Sequence, residues 1–243
     1  MERKTQNKIK RVTKILVDKF GYPYRHENLP APLDMLIATI LSQNTNDKNS
    51  YKAFQNLKRK YPAWEEALSA KESTIENLVR VAGLGKQKAN AIKNLLDDLN
   101  SRDEGFSLSH ITELSDLNAI EELTKYDGIG VKTASCLLLF ALDRNVCPVD
   151  THVFRTVNRL GIVSEKSRDK TYFILNESFP KDIAHTFHTN LIRLGREVCT
   201  PRNPSCGVCP VEKECLFEEK NLENKTVSAE RDFMLLDNVR LLN

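Results

Sequence analysis

A lysine just beyond a Gly-X-Gly turn, an aspartate eighteen residues later and four cysteines near the C-terminus could all do chemistry in this chain. Lys132 follows Gly128-Ile129-Gly130, and an apolar helical pattern (Ala134, Leu137, Leu138, Ala141) runs on from it. Glycine adopts positive φ without steric cost, so Gly128 and Gly130 permit a tight turn that points N–H groups outward at a positive helix end. Such amides suit a phosphate or another anion. In the first helical turn the partial positive charge disfavours a second cation, and partial burial acts in the same sense. A lowered pKa is therefore expected for Lys132, and a neutral amine is a nucleophile. Read alone, the same residues also make a plain helix start with a solvated lysine. Asp150, in Val149-Asp150-Thr151-His152, precedes an amphipathic run and is a favoured N-cap. One carboxylate oxygen suffices for the cap, leaving the second for electrostatic or proton-transfer work. Cys199, Cys206, Cys209 and Cys215 form the pattern C-x6-C-x2-C-x5-C. Four thiolates hold either an iron–sulfur cluster or tetrahedral zinc. Only one close pair is present, and the longer spacings wrap a larger object more readily than paired zinc knuckles would.

The elements that must position these groups read as helices nearly throughout, with no alternating strand-like run. Helices are expected over 6–20, from Pro32, over 49–60, over 151–160 closed by Gly161, and over 167–179 and 183–198. Ser73-Thr74-Ile75-Glu76 has the form of a capping box opening a further helix, with Leu78, Val79 and Val81 inward. Gly83-Leu84-Gly85-Lys86-Gln87-Lys88-Ala89 echoes Gly128-Ile129-Gly130-Val131-Lys132-Thr133-Ala134. Gln87 stands in the place of Lys132, so only the second copy can supply a nucleophile. Leu84 at a turn tip could wedge between bases or be a buried staple. The polar stretch Ser42-Gln43-Asn44-Thr45-Asn46-Asp47 could read base edges or merely cap a helix–helix turn. Cys136 and Cys147 sit in apolar surroundings and need no function. From Asn221 on the chain is polar apart from Phe233-Met234-Leu235-Leu236, which could dock back.

At 243 residues the chain can hold one large domain or two small ones. Formal charge is +3, but residues 1–60 carry thirteen Lys or Arg against five Asp or Glu, while residues 211–243 carry five against eight. That asymmetry suits a polyanion on one surface. No apolar run approaches the roughly 18 residues of a membrane span, and the N-terminus lacks a signal h-region. An intracellular protein is expected, with its cysteines on a metal rather than in disulfides.

Taken together and in this order, the Gly128-Ile129-Gly130 turn with Lys132, Asp150, and the four-cysteine loop resemble endonuclease III. Leu191-Ile192-Arg193-Leu194-Gly195-Arg196 before Cys199 adds to the likeness, which runs from about Pro32 to Glu219. That family comprises helix–hairpin–helix base-excision DNA glycosylases with a [4Fe–4S] cluster. The resemblance implies an all-α fold of two helical domains with a DNA cleft between. One is a six-helix barrel over 25–144, with its helix–hairpin–helix at about 118–141. The other is a cluster domain of 1–24 with 145–219, and 220–243 forms an extension. It implies Lys132 as catalytic amine and Asp150 as catalytic carboxylate, and Cys199, Cys206, Cys209 and Cys215 as cluster ligands. It further implies DNA contacts from Gly128, Gly130, Val131, Leu84, Gly85, Gln43, Asn44, His152 and Arg202. The implied activity is that of a bifunctional glycosylase and abasic-site lyase for oxidised pyrimidines. Its implied substrate is double-stranded DNA with a damaged pyrimidine or abasic site, met by a monomer in the cytoplasm or nucleoid. A lysine at 132, not tyrosine or serine, marks the bifunctional members. A mismatch or uracil glycosylase of the same fold is one alternative, and a non-catalytic, cluster-containing DNA-binding module is another. The family's bacterial members read Ser-Ala-Gln-Ala-Thr-Asp where this chain has Asn44 in place of the glutamine and Gln43 before it. Asn203 and Ser205 replace basic residues of the family's cysteine loop.

Overall fold

The computed structural model describes residues 3–25, 27–102 and 105–228; the apolar run 233–236 lies outside them. Among the described residues there are twelve α-helices and no strand, so the all-α expectation holds. In order they are α1 (Arg3–Phe20), α2 (Pro32–Ser42), α3 (Asp47–Lys60), α4 (Trp64–Leu68), α5 (Glu72–Val79) and α6 (Gly85–Ser101). There follow α7 (Ser109–Thr112), α8 (Asp116–Leu123), α9 (Val131–Phe140), α10 (Thr151–Arg159), α11 (Arg168–Asn176) and α12 (Ala184–Glu197). Among the described residues no helix is long and apolar enough to cross a membrane.

The chain divides into two compact units. One is Arg25–Arg144, which holds α2 to α9. Its centre is α2, whose residues Leu33 to Leu41 are all buried, packed on the equally buried Thr133–Phe140 of α9. A helix apolar on every side can persist only where neighbours cover it all round, which α3, α6 and α9 do here. The one acid in that run, Asp34, accepts the Trp64 indole N–H at 2.7 Å. α3 starts two residues before the expected Asn49, because Asn46 accepts the Asn49 N–H at 2.9 Å and so serves as N-cap.

The capping box expected at Ser73 does not form. α5 begins at Glu72 with Lys71 as its N-cap, and the Lys71 carbonyl already accepts from Thr74 and Ile75. Ser73 therefore lies inside the first turn. Ile75 and Val79 are the buried face, while Leu78 and Val81 are only half-buried.

The other unit joins the described residues up to Tyr24 with those from Asn145 to Ser228, and holds α1 and α10 to α12. α1 buries Ile9, Val12 and Leu16 and packs on α12. Gly21, at φ +79, ends α1. α12 then closes that end: Arg193 donates to the Phe20 carbonyl and stacks on its ring, and Asn190 donates to the Gly21 carbonyl at 3.1 Å.

Candidate functional site

In the unit holding α2 to α9, the turn before α9 is built on Gly128. Its φ is +80, and a Cβ there would stand 2.9 Å from the Ala91 Cβ of α6, so only glycine fits. Ile129 is buried at the tip, and its N–H donates to the Tyr126 carbonyl. Gly130 differs from the expectation. It is extended (φ −95, ψ 177), caps α9, and has open space where a Cβ would go. The fold itself places no demand for glycine there. Val131 and Lys132 are half-buried in the first turn of α9, at its positive end.

The earlier glycine turn has another character. Gly83 (φ +71) and Leu84 (φ +50) are both left-handed, and Leu84 is 47% exposed, against 4% for Ile129. Leu84 is therefore a surface tip and not a staple. Gly85 starts α6 pressed against Arg80 and Glu76, where a Cβ would meet heavy atoms at 3.3 Å.

Two side chains join these turns to the end of α2. The Gln43 amide donates to the Gly128 carbonyl at 2.8 Å and to the Thr133 hydroxyl at 3.1 Å. Its N–H groups are thereby engaged within the protein, while Asn44 beside it is exposed at φ +51. Lys88, which the sequence reading passed over, is 2% exposed and donates to the carbonyls of Leu41 and Ala82, both at 2.8 Å. Burial pushes its amine down to about 8. A signal existed in the sequence, since Lys88 stands in the repeat where Thr133 stands in the second copy.

In the other unit, Asp150 caps α10. A single oxygen, Oδ1, accepts from His152 N at 2.9 Å and Val153 N at 2.7 Å, and Oδ2 lies outside the cap. His152 is half-buried, and burial lowers its pKa against the pull of Asp150. Its ring lies on α12, where a Cβ on Gly195 would meet His152 Cβ at 2.8 Å. Arg155 stands 3.2 Å from His152 Nδ1 and donates to the carbonyls of Gly195 and Cys199, both at 2.8 Å.

Cys199, Cys206, Cys209 and Cys215 line one pocket with Arg159 and Phe217. Arg159 donates to Cys199 Sγ at 3.2 Å and to the Thr200 carbonyl at 2.8 Å, and stacks on the Phe217 ring. Burial pushes the Cys209 thiol up to about 12, and the three other cysteines add to it. Thiols crowded in this way ionise together only when a cation shares the pocket. Among the described residues no three His, Cys, Asp or Glu come close enough to hold one metal ion.

The two positions where the family's basic loop residues are absent have structural partners. The Asn203 side chain accepts from Asn221, its carbonyl accepts from Thr200 and Asn224, and Ser205 donates to the Thr226 carbonyl. The segment 221–226 thus lies along the cysteine loop, with Cys206 N donating to the Asn221 carbonyl at 3.1 Å. Gly207 makes room for it, since a Cβ there would collide with the Leu222 carbonyl. Arg202 is exposed.

Comparison with known proteins gives a consistent picture. Residues 37–181 match the family model described as HhH-GPD superfamily base excision DNA repair protein. The chain is 32% identical to the endonuclease III of Thermotoga maritima, over 81% of this chain and 87% of that one. It is 39% identical, over 69% of its length, to an Arabidopsis thaliana protein whose name describes a DNA glycosylase, but spans only 57% of that relative. Among solved structures, a non-covalent endonuclease III–DNA complex matches with a TM-score of 0.72 and 27% identity, covering 87% of this chain and 95% of that one. A trapped endonuclease III–DNA covalent intermediate matches with the same values.

Proposed function

The chain belongs to the HhH-GPD superfamily of base excision DNA repair proteins, as an enzyme of the DNA glycosylase family, and we propose that it is a bifunctional glycosylase and abasic-site lyase acting on oxidised pyrimidines in double-stranded DNA. The observation that carries this reading is the placing of Lys132: a half-buried amine in the first turn of α9, directly after a glycine turn whose second glycine faces open space. The cap geometry of Asp150, with Oδ2 spare, supports it. The pyrimidine preference rests on the resemblance of the Lys132, Asp150 and four-cysteine motifs to endonuclease III.

The residues divide the work as follows. Amides at Gly130 and Val131 take a backbone phosphate at the positive end of α9. The target base leaves the stack, and Leu84 with Asn44 fills the space it vacates. Stretching of the glycosidic bond builds positive charge on the sugar, which the Asp150 carboxylate stabilises. The Lys132 amine bonds to C1′ as the base departs with the electron pair of the broken C–N bond and picks up a proton. The bonded Lys132 nitrogen gives up one proton to solvent, its lone pair forms the C=N bond as the C1′–O4′ bond breaks, and the ring oxygen takes up a proton, giving the protonated Schiff base. Removal of a 2′ proton then sends its electron pair toward the iminium nitrogen and expels the 3′ phosphate. Hydrolysis of the imine returns Lys132.

The four cysteines are proposed to hold a [4Fe–4S] cluster. The four cysteines line one pocket, and their C-x6-C-x2-C-x5-C spacing, with a single close pair, suits a cluster, whose thiolates sit on separate irons. Such a group would cross-link the cysteine loop, which Arg159 of α10 already meets at Cys199 Sγ. Elemental analysis should find iron, and a zinc-loaded, colourless protein overturns this assignment. For the activity itself the test is Lys132→Ala: borohydride-trapped adducts on thymine glycol and abasic duplexes should vanish while duplex binding persists. An unchanged adduct yield refutes the role given to Lys132.

A further inference from the structure

A buried lysine that meets no carboxylate is costly, and methionine would fill the same space. What a methionine could not do is donate to two carbonyls. The last turn of α2 has carbonyls without helical partners, and the structure accounts for three of them: Thr39 accepts from the Ser42 hydroxyl, Ile40 from the Gln43 N–H, and Leu41 from Lys88. The Lys88 amine also takes the carbonyl of Ala82, which ends the 3₁₀ turn Arg80–Ala82. Each accepted carbonyl lies just before a turn with positive φ, Asn44 in one case and Gly83-Leu84 in the other. Each of those turns carries an exposed tip, Asn44 and Leu84. A cation at the C-terminal ends of two helical segments is also favoured by their dipoles.

We propose that Lys88 is a positioning residue, whose buried amine ties the Gln43-Asn44 turn to the Gly83-Leu84-Gly85 turn so that Asn44 and Leu84 enter the duplex as one wedge. This rests on the glycosylase reading above. The two tips belong to segments about forty residues apart in sequence: Leu84 is the N-cap of α6, its carbonyl accepting from the Lys88 N–H at 3.0 Å, whereas Asn44 lies beyond the end of α2. Lys88 supplies a link at the base of both. A wedge acts only where there is a second strand and a stack to hold open. Its loss therefore slows excision from a duplex and leaves cleavage of a single-stranded abasic site to Lys132 unchanged.

The test is single-turnover kinetics of Lys88→Met on two substrates, a duplex bearing thymine glycol and a single-stranded abasic oligonucleotide, with folding checked by circular dichroism. Duplex excision should fall by on the order of tenfold or more, the scale of a displaced positioning group, while single-strand cleavage stays within about twofold. In a Leu84→Ala background the Lys88→Met loss should largely disappear, because both act through one wedge. Equal loss on both substrates, or no loss on the duplex, overturns the proposal. Should Lys88→Met not fold, Lys88→Arg, which keeps the donors on a bulkier head, is read on the same pair with the same split expected. Absence of any trapped adduct with the unmodified protein would instead refute the glycosylase–lyase reading, so the two failures are distinguishable.

Discussion

The amide of Gln43, at the end of α2, donates to the Gly128 carbonyl at 2.8 Å, so the turn that precedes Lys132 is held from a helix eighty-five residues earlier. The same amide reaches the Thr133 hydroxyl inside α9. A residue that sequence reading assigns to DNA thus has its donors committed within its own unit, and Asn44 is left as the exposed member of the pair.

Gln43→Ala tests this directly. Two hydrogen bonds of about 0.5–1.5 kcal/mol each link the segments, so unfolding stability should fall by about 1–2 kcal/mol. A DNA-reading role alone would leave the melting temperature untouched and change only duplex affinity.

The two glycines of the α9 turn should respond differently to alanine. Gly128→Ala meets both a positive φ and the Ala91 methyl, and should cost roughly 1–3 kcal/mol in thermal or urea unfolding. Gly130→Ala meets neither, and should stay within about 0.5 kcal/mol of the parent. Its added methyl stands beside the amides offered to phosphate, so duplex affinity should drop without loss of fold.

Asp150 has a structural and a chemical role that one substitution can separate. Asn caps as well as Asp, so Asp150→Asn should keep stability within about 0.5 kcal/mol yet slow excision by about a hundredfold or more, through loss of the negative charge. Asp150→Ala should add a stability loss of about 1 kcal/mol from the missing Oδ1 bonds to His152 and Val153. Paired unfolding and single-turnover measurements on both variants check the separation.

Lys88 carries a pH signature. Its folded pKa of about 8 lies below the ordinary 10.5, so the folded chain binds this proton more weakly than the unfolded chain does. The burial penalty is present in full below about pH 8 and is relieved as pH rises from about 8 to 10.5. The neutral amine still has two N–H groups for Leu41 and Ala82, so no bond is lost. The stability margin of the parent over Lys88→Met should therefore widen between pH 7 and pH 9.5. A margin that is flat, or that narrows, contradicts a depressed Lys88.

Sequence alone determined the all-helical class, because a 3.6-residue apolar period is a property of neighbouring residues. It also determined the four-cysteine pattern, the N-cap at Asp150 and the endonuclease III likeness, since each depends on residue types at short, fixed spacings. The capping box at Ser73 failed although it is local, because a backbone carbonyl two residues earlier had already taken the helix start. What only the tertiary structure decided is which members of similar motifs differ. Leu84 is exposed where Ile129 is buried, and Gly128 is pressed on Ala91 where Gly130 faces open space. Lys88 and Gln43 become links between distant turns, and the polar residues 221–226 line the cysteine loop. Burial and hydrogen-bond partnership are set by segments that meet across tens of residues of chain, and one-dimensional spacing carries no record of which carbonyl a buried amine will find.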